Sequence, residues 1–337
     1  MKNNGKRIIQ FTISIIISII FLYLAVRKVK FAELLENILS ANLWYLLISL
    51  VLALFGLIIR SKRWQYIANK PDSKYRHFFE STSFGLMINN VLPFRIGDFA
   101  QAYLLSKKEN LTKSRSFSTI IMERLSDLVP PVLILITGSF FVFLPKEITK
   151  GRIFIFVIIV FLGLFLLVKL ENNFVKLINF FLPEGKIKER ILGLFQNFLS
   201  AMSVIKSPYL FTRIFGLTFF VWFIYALSTY FCLLAFDIPV RASPSLNLFH
   251  AALIVSITAI AYMIPASPGA LGTFEFFNIL ALAIFHIDKT SALSYALVNH
   301  FIGWVPVTLL GIYVLLKSGL SIKQIENEDI GQENSNS

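Results

Sequence analysis

Long apolar runs separated by short polar stretches set the elements of this chain. Residues 8–26, 41–59, 118–144, 153–170, 210–236 and 292–316 are runs of this kind. About 20 apolar residues in an α-helix cross the roughly 30 Å hydrocarbon core of a bilayer. The pattern therefore predicts about six full spans. Two further apolar stretches are interrupted. Residues 78–91 and 97–106 flank a break at Pro93 and Gly97, and residues 246–264 and 269–286 flank PASP. At 1.5 Å per residue, the first two pieces reach only about 21 and 15 Å. They predict a re-entrant helical hairpin. The second pair reads as a similar hairpin or as two full crossings.

Between these elements, Ile187, Ile191, Leu194, Phe195, Phe198, Met202 and Ile205 recur at helical spacing, with Lys186, Lys188 and Arg190 between them. Such a stretch, about 186–205, predicts an amphipathic helix on the cytoplasmic membrane surface, with a plain packing helix as the alternative. The last residues, 321–337, are polar and acidic and predict a disordered cytoplasmic tail. The order span, span, broken hairpin, span describes residues 8–144 and again 153–316. Counting crossings, the second unit starts on the opposite face from the first. The chain thus predicts an all-α polytopic membrane protein with an inverted repeat, folded as a single domain over 1–320. Pro/Gly-interrupted helices at matching positions of inverted halves point to a transporter site.

Composition narrows the class. The 337 residues are 56% hydrophobic and only 15% charged, against about 25% charged in soluble domains. The net charge of +13 would favour a nucleic-acid partner in a soluble protein. Here most Lys and Arg fall in loops assigned to the cytoplasmic side, as the positive-inside rule expects. Arg60, Lys62, Arg63, Lys70, Lys74 and Arg76 follow the second run and mark one such loop. No nucleic-acid partner is expected, and both termini are placed in the cytoplasm. A single cysteine, Cys232, excludes an intrachain disulfide.

Ionised residues inside apolar surroundings are functional candidates. The segment FGLMINNVLPFRIGDFAQAY, 84–103, carries Asn90, Arg95 and Asp98, with Pro93 and Gly97 as backbone breaks. Arg95 just before a half-helix suits a phosphate, because helix N-termini offer free N–H groups and guanidinium matches phosphate oxygens. Neutralisation of Asp98 is the plainer role. MERLSD supplies Glu123, Arg124 and Asp127, with Glu123 and Asp127 on one helix face. The second break, IPASPGALGTFE, contains Pro268, Gly269, Gly272 and Glu275, and the last span carries His300 beside Asn299. Asp98 and Glu275 also sit where a capping carboxylate would. There is no HExxH, Walker or GxSxG motif and no paired cysteine. Hence no catalytic residue, metal site or cofactor is assigned, and an enzyme is the less favoured class.

These three segments in this order, NNVLPFRIGDFAQAYLL, IMERLSD and IPASPGALGTFE, resemble the lysylphosphatidylglycerol synthase transmembrane family, over about residues 8–320. This is the flippase-like region at the N-terminus of the multiple peptide resistance factor. The resemblance implies a multi-pass protein of a bacterial-type plasma (inner) membrane that moves phospholipid between leaflets. Its polar positions correspond to Asn90, Pro93, Arg95, Gly97, Asp98, Glu123, Arg124, Asp127, Pro268, Gly269, Gly272 and Glu275. Many relatives carry Arg where this chain reads Asn299-His300. No soluble lysyltransferase domain follows the last span in this sequence. The implied function is a lipid translocase for an anionic or aminoacylated headgroup such as lysylphosphatidylglycerol. The alternative is a membrane subunit partnered with a lipid-modifying enzyme, a phosphatidylglycerol lysyltransferase or a polyprenyl-phosphate glycosyltransferase.

Overall fold

A computed structural model of the chain describes residues 2–70, 72–93, 95–141, 207–238, 246–264 and 268–318, together with 185, 188, 192 and 193. The predicted span at 153–170, nearly all of the amphipathic stretch at 186–205 and the tail at 321–337 lie outside the described residues. Among the described residues the elements are α1 (Lys2–Val26), α2 (Phe31–Leu39), α3 (Leu43–Ala68), α4 (Tyr75–Val91) and α5 (Gly97–Glu109). They continue with α6 (Lys113–Phe141), α7 (Pro208–Ala235), α8 (Leu248–Ala259), α9 (Thr273–Ala283) and α10 (Lys289–Ser318). Short 3-10 turns at Ile260–Met263 and Pro268–Ala270 fall between α8 and α9.

The apolar and polar surfaces are arranged for lipid. On α3, Leu43, Trp44, Leu47, Ile48, Val51 and Phe55 are exposed, whereas Ser49, Ser61 and Arg63 are buried. Large apolar groups thus face outward at helical spacing and small or polar ones face inward. The helices α3, α7 and α10 are each long and apolar enough to cross a membrane. Lipid tails are as apolar as Leu, so association there relies on close packing and polar contacts. The α3–α7 seam shows both. Ser49 and Ser228 exchange hydroxyl-to-carbonyl hydrogen bonds, each 2.9 Å. A Cβ added at Gly56 would meet the Tyr225 ring at 2.8 Å. The Asn42 N–H donates to the Ala235 carbonyl at one end, and Arg63 reaches Thr218 toward the other. The two helices therefore run antiparallel along their whole length.

The interrupted segments are hairpins. His77, early in α4, meets Glu109 at the end of α5 at 2.7 Å, so both open ends lie together. At the base of the second hairpin the His250 ring lies 5.1 Å from Phe285, and near its tip Tyr262 lies 5.8 Å from Phe274. Helices α8 and α9 have 12 and 11 residues and run on through the 3-10 turns as apolar stretches Leu248–Met263 and Pro268–Ala283.

Helix α10 measures how the hairpins are placed. Phe285 and Ile287, just past α9, cluster with Ala292 and Tyr295 near its start. Phe274, at the start of α9, stacks on His300. Farther along, Asn90 bonds Thr308, and Met87 and Ser83 abut Gly311. The hairpins thus approach from opposite ends of α10, and their tips meet near its middle. The packing obeys an exchange of α3 for α7, α4 for α8, α5 for α9 and α6 for α10. Helix α3 packs on α4 as α7 packs on α8, α5 on α6 as α9 on α10, and α4 on α10 as α8 on α6.

Candidate functional site

Breaking a helix in apolar surroundings exposes N–H groups that need acceptors. At the first tip, Asn89 answers this. Its Oδ1 accepts from the Gly97 N–H at 2.8 Å, and its Nδ2 donates to Asp98 at 3.3 Å. A Cβ at Gly97 would lie 1.9 Å from the Gly85 carbonyl oxygen, so only glycine lets α4 and α5 close. Arg95, between the half-helices, has φ +56° and donates to the Tyr262 carbonyl at 3.2 Å. This contact joins the two hairpin tips.

The second tip uses a carboxylate. Gly269 and Gly272 have φ +64° and +85°, a region glycine enters without penalty. Glu275 Oε2 accepts from the Gly272 N–H at 2.7 Å. Its Oε1 lies 2.6 Å from His300 Nδ1, and His300 Nε2 lies 2.9 Å from the Gly269 carbonyl oxygen. The Phe274 ring stacks on His300 at 4.3 Å.

Beside the first tip lies an ion cluster. Arg63 binds both oxygens of Asp127, the Nη2 contact to Oδ2 being 3.0 Å, and donates to Glu123 at 3.1 Å. Arg60 Nε donates to the same Glu123 oxygen at 2.8 Å. Arg124 donates to Asp98 at 2.7 Å, while Arg95 stands 3.6 Å from Asp98. Arg63 and Glu123 are fully buried. Arg60, Arg63, Arg95 and Arg124 stand against Asp98, Glu123 and Asp127. The cluster carries one more cation than anion.

The tips and this cluster border a cavity of about 400 Å³, within the usual range for small-ligand sites. Arg60, Arg95, Arg124 and Asp127 line it from one half, and Gly269 and His300 from the other. Among the described residues, three buried donors on its lining make no hydrogen bond: Arg60 Nη2, which still pairs with Asp127 Oδ2 at 3.9 Å, Arg124 Nε and Trp222 Nε1. One buried acceptor there, Asn278 Oδ1, is also unpartnered. Among the described residues no group of His, Cys, Asp and Glu is arranged to hold a metal ion.

Of the residues singled out from sequence, Asn90, Arg95, Arg124, Asp127, Gly269 and His300 line the cavity. Asn90 donates to Thr308 at 2.8 Å, which ties α4 to α10. Asp98, Glu123 and Glu275 stand behind that wall, paired to basic side chains. Pro93, Gly97, Pro268 and Gly272 shape the backbone. At the half-helix N-termini, Asn89 and Glu275 take the Gly97 and Gly272 N–H groups. One expectation needs correction. The segment from Arg60 to Arg63 is not loop. Helix α3 continues to Ala68 and turns both arginines onto Glu123 and Asp127 of α6. Their spacing, i and i+3 on a helix continuing an apolar span, was the available signal; the surrounding Lys62 and Lys70 masked it.

Residues 11–311 match the family described as the lysylphosphatidylglycerol synthase TM region. The chain belongs to this family. Relatives include a UPF0104 membrane protein of Methanocaldococcus jannaschii, 28% identical over 72% of this chain and 99% of its own length. A second UPF0104 membrane protein of the same organism is 22% identical over 92% of this chain and 95% of its own length. One of Pyrococcus horikoshii is 24% identical over 82% and 88%. Family membership and the apolar helices make this chain an all-α membrane protein. The match to the family extends over both hairpins and every cavity-lining residue named above.

Proposed function

We propose that this protein is a lipid translocase that takes a phospholipid headgroup into the cavity between the hairpin tips while the acyl chains stay in the bilayer. The observation that carries this reading is the Arg60–Arg95–Arg124 wall, with its surplus cation and the Arg124 Nε–H that makes no hydrogen bond. Phosphate oxygens are the natural acceptors for such donors. Membership of a family named for lysylphosphatidylglycerol synthase supports a lipid ligand. By the positive-inside rule, the open end of the α4–α5 hairpin (hairpin 1, the α8–α9 pair being hairpin 2), with Lys107 and Lys108 on it and Lys70 beside it, faces the cytoplasm, in the plasma membrane of the cell.

The test is a leaflet-resolved assay of labelled phospholipid in proteoliposomes. Arg95→Ala and Arg60→Gln, at equal reconstitution, are each expected to slow transfer about tenfold or more, as loss of a hydrogen bond to a charged group would. Wild-type rates in both variants would discard the site.

A further inference from the structure

Each half of the protein places a carboxylate at the start of its returning half-helix and joins it to a basic side chain on the next long helix. In the first half these are Asp98 and Arg124; in the second, Glu275 and His300. Their sequence separations, 26 and 25 residues, agree with the exchange of halves. The partners differ in chemistry. A guanidinium keeps its proton in proteins, whereas an imidazole exchanges one near neutral pH.

The surroundings of His300 count its protons. Both ring nitrogens face acceptors: Nδ1 the Glu275 carboxylate at 2.6 Å, and Nε2 the Gly269 carbonyl at 2.9 Å. A neutral imidazole has one N–H and one lone pair. Beside an ionised Glu275 it satisfies one acceptor and turns its lone pair on the other oxygen. One added proton removes the conflict. The pair then exists as imidazolium with carboxylate, or as imidazole accepting from the Glu275 carboxylic acid while Nε2–H donates to Gly269. Glu275 is 1% exposed, and His300 opens onto the cavity, which supplies the route for a proton.

We propose that Glu275 and His300 form a binding site for one proton taken from cavity water, and that this proton and an anionic headgroup on the arginine wall favour each other's binding. The coupling rests on the lipid-transport reading; the proton site does not. Without the proton, His300 keeps one of its two contacts. The Gly269 contact lies at the tip of hairpin 2, where a Cβ would meet Trp304 and the Asn90 carbonyl of hairpin 1. Proton loss therefore loosens the junction of the hairpins.

Other ionisable groups face this pair from the packed elements. Tyr262 approaches from the turn after α8, through Phe274. Arg95 reaches that turn from hairpin 1. Arg60 of α3, Arg124 and Asp127 of α6 and Tyr225 of α7 line the same cavity. Helix α1 brings the Ser18 carbonyl and Leu22 against Gly272. An anion beside Arg95 and Arg60 adds negative charge to the field at His300. By linkage, the proton strengthens the hold on the anion to the same degree.

Proton uptake tests this directly. The protein in detergent, weakly buffered at several values across about pH 6 to 8.5, is mixed with a short-chain phosphatidylglycerol beside an indicator dye. Wild type is expected to take up a proton on binding the lipid. His300→Arg, which keeps donors for both acceptors and a permanent charge, takes up none, and neither does Glu275→Gln. Thermal melting establishes that the variants are folded. Absent uptake in a wild type that binds the lipid, or equal uptake in His300→Arg, overturns the coupling; a lipid-free wild type that binds no more protons over the same range than His300→Arg overturns the proton site. In proteoliposomes, an imposed pH gradient changes the lipid transfer rate of wild type and not that of His300→Arg. Wild-type transfer that ignores the gradient overturns the coupling. A wild type that takes up the proton but transfers no lipid overturns the transport reading and leaves the proton site standing.

Discussion

Arg63 shows how much one side chain can hold in this protein. It is fully buried and joins Asp127, Glu123 and Thr218, so it links α3 to both α6 and α7. Removing one partner of a buried ion network leaves an uncompensated charge, which costs roughly 3–5 kcal/mol. Arg63→Met is expected to lower thermal stability in detergent by an amount of that order. Lys62→Met, one position along and half-buried with its ammonium on Gln65, is expected to lower melting far less. Equal melting of the two variants would remove Arg63 from the core. Asn89 acts at the same scale. Its amide fills the Gly97 N–H, and losing such a cap costs roughly 1 kcal/mol. Asn89→Ala is expected to speed hydrogen exchange at residues 97–100, measured by mass spectrometry, without unfolding α3 or α7.

Hairpin 1 is built as an element with a polar lock at each end. Asn89 and Gly97 close the tip. At the base, Glu109 accepts from Lys70, from the Lys74 N–H and from His77, and Glu80 pairs with Arg76 and Lys108. Burial pushes the Glu109 carboxyl up, but the hydrogen bonds from His77, Lys74 and Lys70 outweigh it and hold the group below its ordinary value of 4.5. A carboxylate with a depressed value stabilises the fold above its unfolded value, and that contribution fades as pH falls through the folded one. Melting temperature is therefore expected to drop as pH falls below the ordinary glutamate range. Glu109→Gln should fall less steeply over the same window; an identical slope would show that the lock carries nothing. Helix α2 is an element that the apolar runs did not announce. Its Phe31, Leu35 and Leu39 are exposed at helical spacing, while Leu34 packs against the cluster that contains Leu293. Nine residues are too few to register as a span.

Across the whole molecule, the α3–α7 seam is the axis about which the halves exchange. Ser49 and Ser228 face each other there with hydroxyl oxygens 3.0 Å apart. The double variant Ser49→Cys, Ser228→Cys is expected to oxidise to a disulfide, leaving Cys232 as the remaining thiol after denaturation. Three free thiols by maleimide labelling under oxidising conditions would contradict the antiparallel seam. The apolar runs of α3, α7 and α10 and the two breaks were legible in the sequence, because each is a local property. Hydropathy over some twenty residues, or one Pro and one Gly, decides it. The family was legible for the same reason, through motifs at those breaks. Partner choice was not. Arg60 and Arg63 read as loop cations, and only the packing of α3 on α6 makes them ligands of Glu123 and Asp127. Glu275 and Asp98 read as candidate site carboxylates, and only the closure of each hairpin places them behind His300 and Arg124. Those pairings join residues 25 to 67 positions apart. The spacing of residues along a helix says which face a side chain is on, but the helix that meets that face is chosen by the packing of the whole chain.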